Sequence, residues 1–405
     1  MSKNQVHIKL HFYLAILIAF SLPFARLTPV FIVLMVVNWL VEGDFKNKLS
    51  SFLKNKYSLL FCSFYLLHAV GLLYSQNIDS AGFDLQVKLS LLIFPVLLSS
   101  RPFNTRAKDS IFYALISGVV LSSFIILIRA SYVYFTIGEN DFYYEVFSYF
   151  IHPSYFSMYI NVCIGWILIN LLQNNRTVLV VNNLIILLLV LFLSVIVLLL
   201  SSKMGIITMV LMYVFFIISY IITHKKYLIG ILGLLLLAIS SVMVIKLVPE
   251  IQGRIDRAFS AVVNPTPKST DAESTAVRLL IWNAANQVIS ENLLVGVGTG
   301  DAKDALMKEY TKRGMTGAIE HDLNAHNEFY QVFVALGIIG FVLLLSNLYF
   351  PLIFAFKNGN LVYLLFLIII ILNFLPESML ETQAGVMFFA FFNSLLCFHK
   401  SKSKD

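Results

Sequence analysis

The chain is poor in charge and in cysteine. Only 13% of its 405 residues are charged, against about a quarter in an ordinary soluble domain. Its three cysteines, Cys62, Cys163 and Cys397, lie in or at the ends of apolar segments, where none is placed for a disulfide between outer loops. A disulfide-rich secreted module is therefore excluded. The hydrophobic content of 59% also excludes a disordered chain and a set of soluble domains.

The sequence also lacks the short motifs that hold metals or nucleotides. It has no cysteine and histidine spacing typical of a zinc site, no P-loop, no internal repeat and no low-complexity tract. We therefore expect no metal and no cofactor. Without an ATP site, the energy for any reaction has to come from an ion gradient or from an activated substrate.

Long runs of Leu, Ile, Val and Phe dominate the chain, and its mean hydropathy is +0.84. A bilayer-spanning helix needs roughly 17–25 apolar residues, and such unbroken runs favour helices over barrel strands. The candidate spans are 8–24, 27–41, 57–74, 85–99, 110–130, 152–172, 178–200, 204–222, 227–248, 325–350, 360–375 and 383–398. The sequence thus predicts an all-α polytopic membrane protein with about 12 transmembrane helices.

The predicted organisation is a single integral membrane domain in three segments. Residues 1–248 carry spans one to nine, residues 249–324 form one large outer loop, and residues 325–405 carry the last three spans and a tail. Lys and Arg are concentrated in alternate connections, which predicts that both termini are cytoplasmic and that the acidic connections face outward. The net charge of +7 lies in short runs between apolar segments, so we expect membrane lipids rather than nucleic acid as partners.

The large outer loop contains two helical patterns. One runs from Ser274, a plausible N-cap, to about residue 292, and the other covers residues 301–313. Such amphipathic helices suit a position on the membrane surface above a cavity. The glycine-rich run 296–300 has no preceding strand and is read as a tight turn that returns the loop to the membrane, not as a dinucleotide fingerprint.

Two residues of the first loop helix point to phosphate binding. Arg278 and Trp282 are four residues apart and share a helix face. An arginine held by an aromatic ring can present its planar fork to a phosphate. The alternative is a solvated surface arginine that packs on the tryptophan.

A polar cluster opens the tenth span, where His326 is followed by Asn327, Tyr330 and Gln331. On a helix, His326 and Tyr330 share one face, and Asn327 and Gln331 another. Polar groups at the mouth of an apolar helix are costly unless they line a cavity. A neutral imidazole there can take a proton from a hydroxyl at neutral pH. The alternative is a capping histidine at the water interface.

Four further residues lie at the predicted outer edge. Lys203 at the end of the seventh span either holds an anion or extends its ammonium to the interface. His152 opens the sixth span, where a plain helix start is the alternative. Glu377 and Glu381 flank the last span and suit either an acceptor sugar or an ion pair with a cation of the set. Cations and a histidine at this depth suit a lipid-linked phosphate.

These motifs resemble a known family. The order of Arg278-Leu-Leu-Ile-Trp282, the glycine-rich run, the His326 cluster and Gly337-Ile-Ile-Gly340 is similar to that of the O-antigen ligase and polymerase superfamily, over roughly residues 190–395. The resemblance implies a helical bundle with one large periplasmic loop in the bacterial inner membrane. It implies metal-independent, inverting glycosyltransferases that move a glycan from undecaprenyl diphosphate to an acceptor.

The resemblance also implies residue roles. His326 would be catalytic and Arg278 would bind the diphosphate, as would Lys203, where the family usually has an arginine with its bidentate fork. The possible acceptor-binding or supporting residues are His152, Trp282, Asn327, Tyr330, Gln331, Glu377 and Glu381.

Three functions stay open from the sequence. A ligase would use a sugar of the lipid A core as acceptor, whereas a polymerase would use another undecaprenyl-linked repeat unit. The single dominant outer loop favours the ligase. A polysaccharide transporter would instead need ionisable residues and broken helices at mid-membrane, ideally in repeated halves.

Overall fold

A computed structural model describes residues 3–173, 182–247 and 275–399, with a few single residues between 249 and 259. All regular elements of this part of the chain are helices. The first nine are α1 (Lys3–Ser21), α2 (Thr28–Glu42), α3 (Phe45–Lys54), α4 (Lys56–Leu72), α5 (Ile78–Lys88), α6 (Ser90–Ser100), α7 (Thr105–Ile137), α8 (Tyr144–Phe147) and α9 (Pro153–Leu172).

The second half of the described chain continues in the same way. Its helices are α10 (Asn183–Leu199), α11 (Lys203–His224), α12 (Tyr227–Leu247), α13 (Thr275–Glu291), α14 (Ala302–Lys312), α15 (Thr316–Glu320), α16 (Glu328–Lys357), α17 (Leu361–Phe374) and α18 (Gln383–Phe398). Two short 3₁₀ helices, Leu22–Phe24 and Met379–Glu381, precede α2 and α18.

Each of the twelve predicted spans overlaps a helix, apart from residues 178–181 and 248, which lie outside the described part. The span 85–99 covers the end of α5 and most of α6, which are separated at Leu89. Six helical segments of that part are long and apolar enough to cross a membrane. A seventh is added if α2 and α3, which meet at 116°, cross as one bent span. The helices α4, α10, α17 and α18 and the apolar stretch Tyr227–Met243 of α12 are shorter than 18 residues. The described part of the chain is thus all-helical and has the apolar helices of a multi-pass membrane protein, and the count of twelve spans and their orientation stay predictions.

Side-chain caps fix where the helices around the candidate site begin. Ser202 accepts a hydrogen bond from the Gly205 N–H at the start of α11, and Thr382 does the same for Gly385 at the start of α18. Asn327 caps α16, which therefore starts at Glu328. Because a cap residue has non-helical backbone angles, each of these helices has a defined first residue.

The loop helices α13 and α14 agree with the predicted ranges. The predicted apolar stripe of α13, Val277, Ile281 and Val288, is buried. It packs with Leu306 and Tyr310 of α14 in a hydrophobic cluster separate from that of the main bundle. The predicted N-cap and nearly all of the loop before it lie outside the described residues.

The glycine-rich run returns the loop to the bundle at a break in α16. Gly337 has φ +64° and ψ −160°, which interrupts the helix and frees backbone groups. The preceding loop segment pairs with them: the Val297 N–H donates to the Val334 carbonyl (3.0 Å), and the Ile338 N–H donates to the Leu293 carbonyl (2.9 Å). Unpaired backbone groups are costly in lipid, so this segment completes the broken helix.

Candidate active site

His326 lies before α16, not on it. The prediction that His326 and Tyr330 share a helix face is wrong, because Asn327 caps the helix with its Oδ1, which accepts a hydrogen bond from the Tyr330 N–H at 3.1 Å. His326 has φ +43°, in the left-handed region that favours glycine. Its N–H donates to Asn324 Oδ1 at 2.9 Å. Such strained backbone clusters at functional sites and costs about 1–3 kcal/mol.

One carboxylate, Glu377, contacts both the predicted catalytic histidine, His326, and the predicted diphosphate-binding arginine, Arg278. Glu377 lies in the connection between α17 and α18, and its Oε1 accepts a hydrogen bond from Arg278 Nη2 at 3.0 Å. Its Oε2 lies 3.5 Å from His326 Nδ1. The three side chains are 15–27% exposed, so they are partly buried and still accessible to solvent. Arg278 and His326 stand on separate segments of the chain, and Glu377 brings both to one point.

The charge of Glu377 is stabilised by these contacts. Burial alone raises the pKa of its carboxyl group. The adjacent His326 imidazole and the nearby charge of Arg278 act against burial and outweigh it, so the pKa lies below its usual range. Glu377 is therefore ionised at neutral pH and can orient the His326 ring and stabilise a proton on it.

Trp282 contacts the site through the backbone beside His326. Its Nε1–H donates to the Ala325 carbonyl at 3.0 Å, and its ring stacks on Tyr330 with centroids 5.8 Å apart and planes 8° apart. The prediction that this ring holds Arg278 is therefore wrong, because the ring stacks on Tyr330 and the Arg278 guanidinium forms its hydrogen bond with Glu377. Trp282 instead ties α13 to the segment that carries the strained histidine.

The start of α16 is fastened to the connection that carries Glu377. The Asn327 N–H donates to Ser378 Oγ at 3.2 Å, and its Nδ2 donates to the Leu375 carbonyl at 2.8 Å. Glu328, fully buried, accepts the Leu380 N–H at 2.8 Å. Asn327 thus supports the site by binding backbone.

Gln331 supports the same corner of the site. Its Oε1 accepts the Ala325 N–H at 3.1 Å, one residue before His326. Its side chain also lies near enough to Glu381 to favour the charged form of that carboxyl group. Gln331 therefore links the segment of the histidine to the 3₁₀ helix that precedes α18.

Glu381 belongs to a second group of charges next to the first. Its Oε1 lies 2.7 Å from the Nζ of Lys88, which is fully buried and also forms an ion pair with Asp84. His68 Nδ1 lies 3.5 Å from the other Asp84 oxygen. In the sequence, Lys88 and His68 are isolated ionisable residues within predicted spans, and nothing there links them to the site. The signal available was that rarity.

His152 begins α9, as the simpler interpretation predicts. Its Nδ1 accepts the Ser154 N–H at 3.3 Å, and its Nε2 lies 3.3 Å from the exposed Glu145 carboxylate. It is near enough for its charge to act on Glu377.

Lys203 is the first residue of α11, which packs against the start of α9. Glu377 forms ion pairs with Arg278 and His326.

In the described part of the chain, no group of three or more His, Cys, Asp and Glu side chains is arranged to hold a metal ion. The arrangement that is present consists of a half-buried imidazole, a carboxylate that orients it and a guanidinium on the same carboxylate. Such a group can remove a proton from a hydroxyl beside a bound anion.

The fold and this site define a class: a multi-pass helical membrane protein with a histidine, a carboxylate and an arginine gathered at one end of its bundle. Residues 157–345, slightly less than half of the chain, match the model of the O-antigen ligase family (Wzy_C). This match confirms the resemblance to the O-antigen ligase and polymerase superfamily noted in the sequence. No curated protein matches the chain.

The matched range covers only part of the site. It contains Lys203, Arg278 and His326, whereas Glu377 and Glu381 lie beyond its end. Members of this family are membrane glycosyltransferase-like ligases and polymerases of lipid-linked glycans.

Proposed function

We propose that the chain is an inverting, metal-independent glycosyltransferase of the O-antigen ligase type. It moves a glycan from undecaprenyl diphosphate to an acceptor sugar of the lipid A core. The observation that carries the proposal is the contact of one carboxylate, Glu377, with both Arg278 and His326. The family match supplies the class of reaction.

In the proposed reaction, the acceptor hydroxyl attacks the anomeric carbon of the donor sugar. A new carbon–oxygen bond forms as the bond to the diphosphate breaks, and a single displacement inverts the anomeric configuration. Undecaprenyl diphosphate leaves with its electron pair, and the hydroxyl proton passes to His326. No nucleotide is consumed, because the donor is already activated.

Glu377 prepares His326 to receive that proton. With Nδ1–H directed at the carboxylate, the lone pair of Nε2 is free to act as the base. The negative charge of Glu377 then stabilises the imidazolium. This is the division of labour between base and orienting carboxylate that recurs in unrelated hydrolases.

Arg278 and Lys203 act on the leaving group. Negative charge accumulates on the diphosphate as the glycosidic bond breaks, and fixed cations lower the energy of that state. Arg278 offers a planar fork to two phosphate oxygens, whereas Lys203 offers a compact point charge. Trp282 and Tyr330 flank the segment of His326, and His152 and Glu381 lie at its border as supporting residues.

The proposed location is the bacterial inner membrane, with both termini in the cytoplasm and the site on the periplasmic side. The excess of Lys and Arg in alternate connections supports this orientation. Polymerised glycans reach a lipid A core on that side, and the large loop that carries Arg278 is then periplasmic.

The test uses cells that carry His326→Ala, with the membrane level of the protein measured. Their lipopolysaccharide is compared with that of a deletion strain, the wild type and His321→Ala, a matched control that removes an exposed histidine five residues away. A ligase predicts loss of core-linked long chains and accumulation of polymerised undecaprenyl-linked glycan. Chains that shorten to one repeat unit identify a polymerase, and unchanged chains in His326→Ala refute the role of this residue.

A further inference from the structure

Lys88 is a buried lysine whose charge is compensated by carboxylates from distant parts of the chain. Its side chain is fully shielded from solvent at the end of α5. An ammonium in such a place is costly unless carboxylates compensate its charge. Here the compensation comes from Asp84, one turn earlier on the same helix, and from Glu381, which is 293 residues away in the sequence.

Asp84 alone would supply one countercharge, so the second partner needs an explanation. Glu381 is the last residue of the 3₁₀ helix before α18, and its Oε1 accepts a hydrogen bond from Lys88 Nζ at 2.7 Å. Glu328, fully buried at the start of α16, lies close enough for its charge to act on Lys88. The Lys88 ammonium therefore forms ion pairs with two carboxylates from two elements, Asp84 and Glu381, and lies near a third carboxyl group on α16.

The connection between α17 and α18 carries two glutamates that face different partners. Glu377 contacts Arg278 and His326, and Glu381, four residues later, contacts Lys88. The two are joined by a single short 3₁₀ turn. Glu377 and Glu381 therefore stand on the same short connection.

We propose that Lys88 is a positioning residue of the transfer site, which through Glu381 holds Glu377 against His326 and Arg278. The inference rests on the proposed function, because it assigns Lys88 to the reaction rather than to folding alone. Lys88 touches neither the substrate nor the reacting atoms. Its effect on the reaction passes entirely through the connection that carries Glu377.

The test measures steady-state kinetics of the full-length protein, purified in a lipid bilayer, with an undecaprenyl-diphosphate-linked glycan and a lipid A core acceptor. Lys88→Met is expected to lower kcat by about 100-fold, the scale of a misplacement of about 1 Å. The KM for the donor is expected to stay within about twofold, because Lys88 does not reach Arg278 or the diphosphate. A loss of folded protein alone would lower the yield and leave kcat per folded molecule unchanged.

A double-mutant cycle separates positioning from two independent effects. Glu381→Gln leaves Lys88 paired with Asp84 and is expected to lower kcat by a similar factor. If both residues act through one contact, Lys88→Met/Glu381→Gln is no slower than Lys88→Met. Independent roles would multiply to about 10⁴-fold and would overturn the proposal.

The chain offers a matched control in Lys48. It is also fully shielded, and its Nζ lies 2.7 Å from Glu42 Oε2, the same distance as between Lys88 and Glu381. Lys48 lies on α3 and contacts Trp39 and Glu42 at the end of α2, none of which belongs to the site, so Lys48→Met is expected to lower stability and leave kcat unchanged.

The outcomes separate the inference from the proposed function. A wild-type protein that transfers no glycan refutes the proposed function and the inference with it. An active wild type with equally active Lys88→Met refutes the inference alone. Should Lys88→Met not accumulate, Glu381→Gln decides, since wild-type kcat in that variant overturns the proposal.

Discussion

Replacing Glu377 with glutamine removes one charge from the site and keeps the shape of the side chain. Glu377 now faces Arg278 at 3.0 Å and His326 at 3.5 Å. Glutamine can still accept one hydrogen bond, so the ring position of His326 is largely retained. What is lost is the attraction between the carboxylate and the proton that His326 takes up during the reaction.

The size of that loss follows from the geometry. Two unit charges about 4 Å apart attract by about 4 kcal/mol at an effective dielectric constant of about 20, which suits a partly exposed pair. A loss of about 4 kcal/mol in the transition state corresponds to roughly a thousandfold in rate. Arg278, freed from Glu377, remains available to the diphosphate, so the KM for the donor is expected to stay the same or to fall.

The assay is a single-turnover transfer reaction with purified protein and excess enzyme, which reports the chemical step apart from product release. Glu377→Asp is the matched control, since it keeps the charge and shortens the side chain by one methylene. It is expected to lose less rate than the glutamine variant. Glu377→Gln that retains the wild-type rate within about threefold would refute the reasoning, since no charge stabilisation would then come from this carboxylate.

Three further predictions concern stability and substrate binding. Gly337→Ala forces an L-residue into φ +64° with its Cβ 2.4 Å from the Leu294 carbonyl oxygen, so we expect a loss of at least about 2 kcal/mol in unfolding assays. Gly43→Ala, at φ +72° with open space around it, is the control for backbone strain without the clash and should lose less. Lys203→Ala should raise the donor KM at least about tenfold and Lys203→Arg should not, because arginine restores a fork for phosphate; equal KM values in both variants would contradict this role. The pKa of Glu377 is lower in the folded than in the unfolded chain, so its contribution to stability is complete above the unfolded value of about 4.3 and is lost as the pH falls through the folded value. Thermal melts over that acidic window should therefore show a smaller fall in stability for Glu377→Gln than for the wild type, and identical curves would contradict the shift.

Much of the helical framework can be predicted because it depends on local pattern. Unbroken apolar runs lead to helices at all twelve predicted spans outside the undescribed residues. The periodic stripe of Val277, Ile281 and Val288 correctly indicates the buried face of a loop helix. The amphipathic helix α3 was not predicted, because its lysines break the apolar pattern.

The membership of the site follows from order along the chain, but its contacts do not. The alternation of basic and acidic connections places Arg278, His326 and Glu377 at one end of the bundle, and the three do meet there. The backbone of His326 was mispredicted, because an apolar run starting nearby masks the cap at Asn327. A competition between a cap and one more helical turn is decided by backbone angles, which periodicity does not report.

Contacts between residues that are far apart in the chain cannot be predicted from a single sequence. Lys88 and Glu381 each look like an isolated charge next to an apolar run. The two are 293 residues apart, and only the packing of α5 on the 3₁₀ helix makes them partners. The partner of Trp282 was missed for a similar reason, since the ring stacks on Tyr330 of another helix.

The most direct test of the central claim is transfer by purified protein in a bilayer that holds an undecaprenyl-diphosphate-linked glycan and a lipid A core acceptor. The account predicts that the wild type and His321→Ala form the core-linked glycan with an inverted anomeric centre. It also predicts that His326→Ala, equally folded, binds the donor but forms product at least about a thousandfold more slowly. Product formation by His326→Ala at the wild-type rate, or a retained anomeric configuration, would contradict the account.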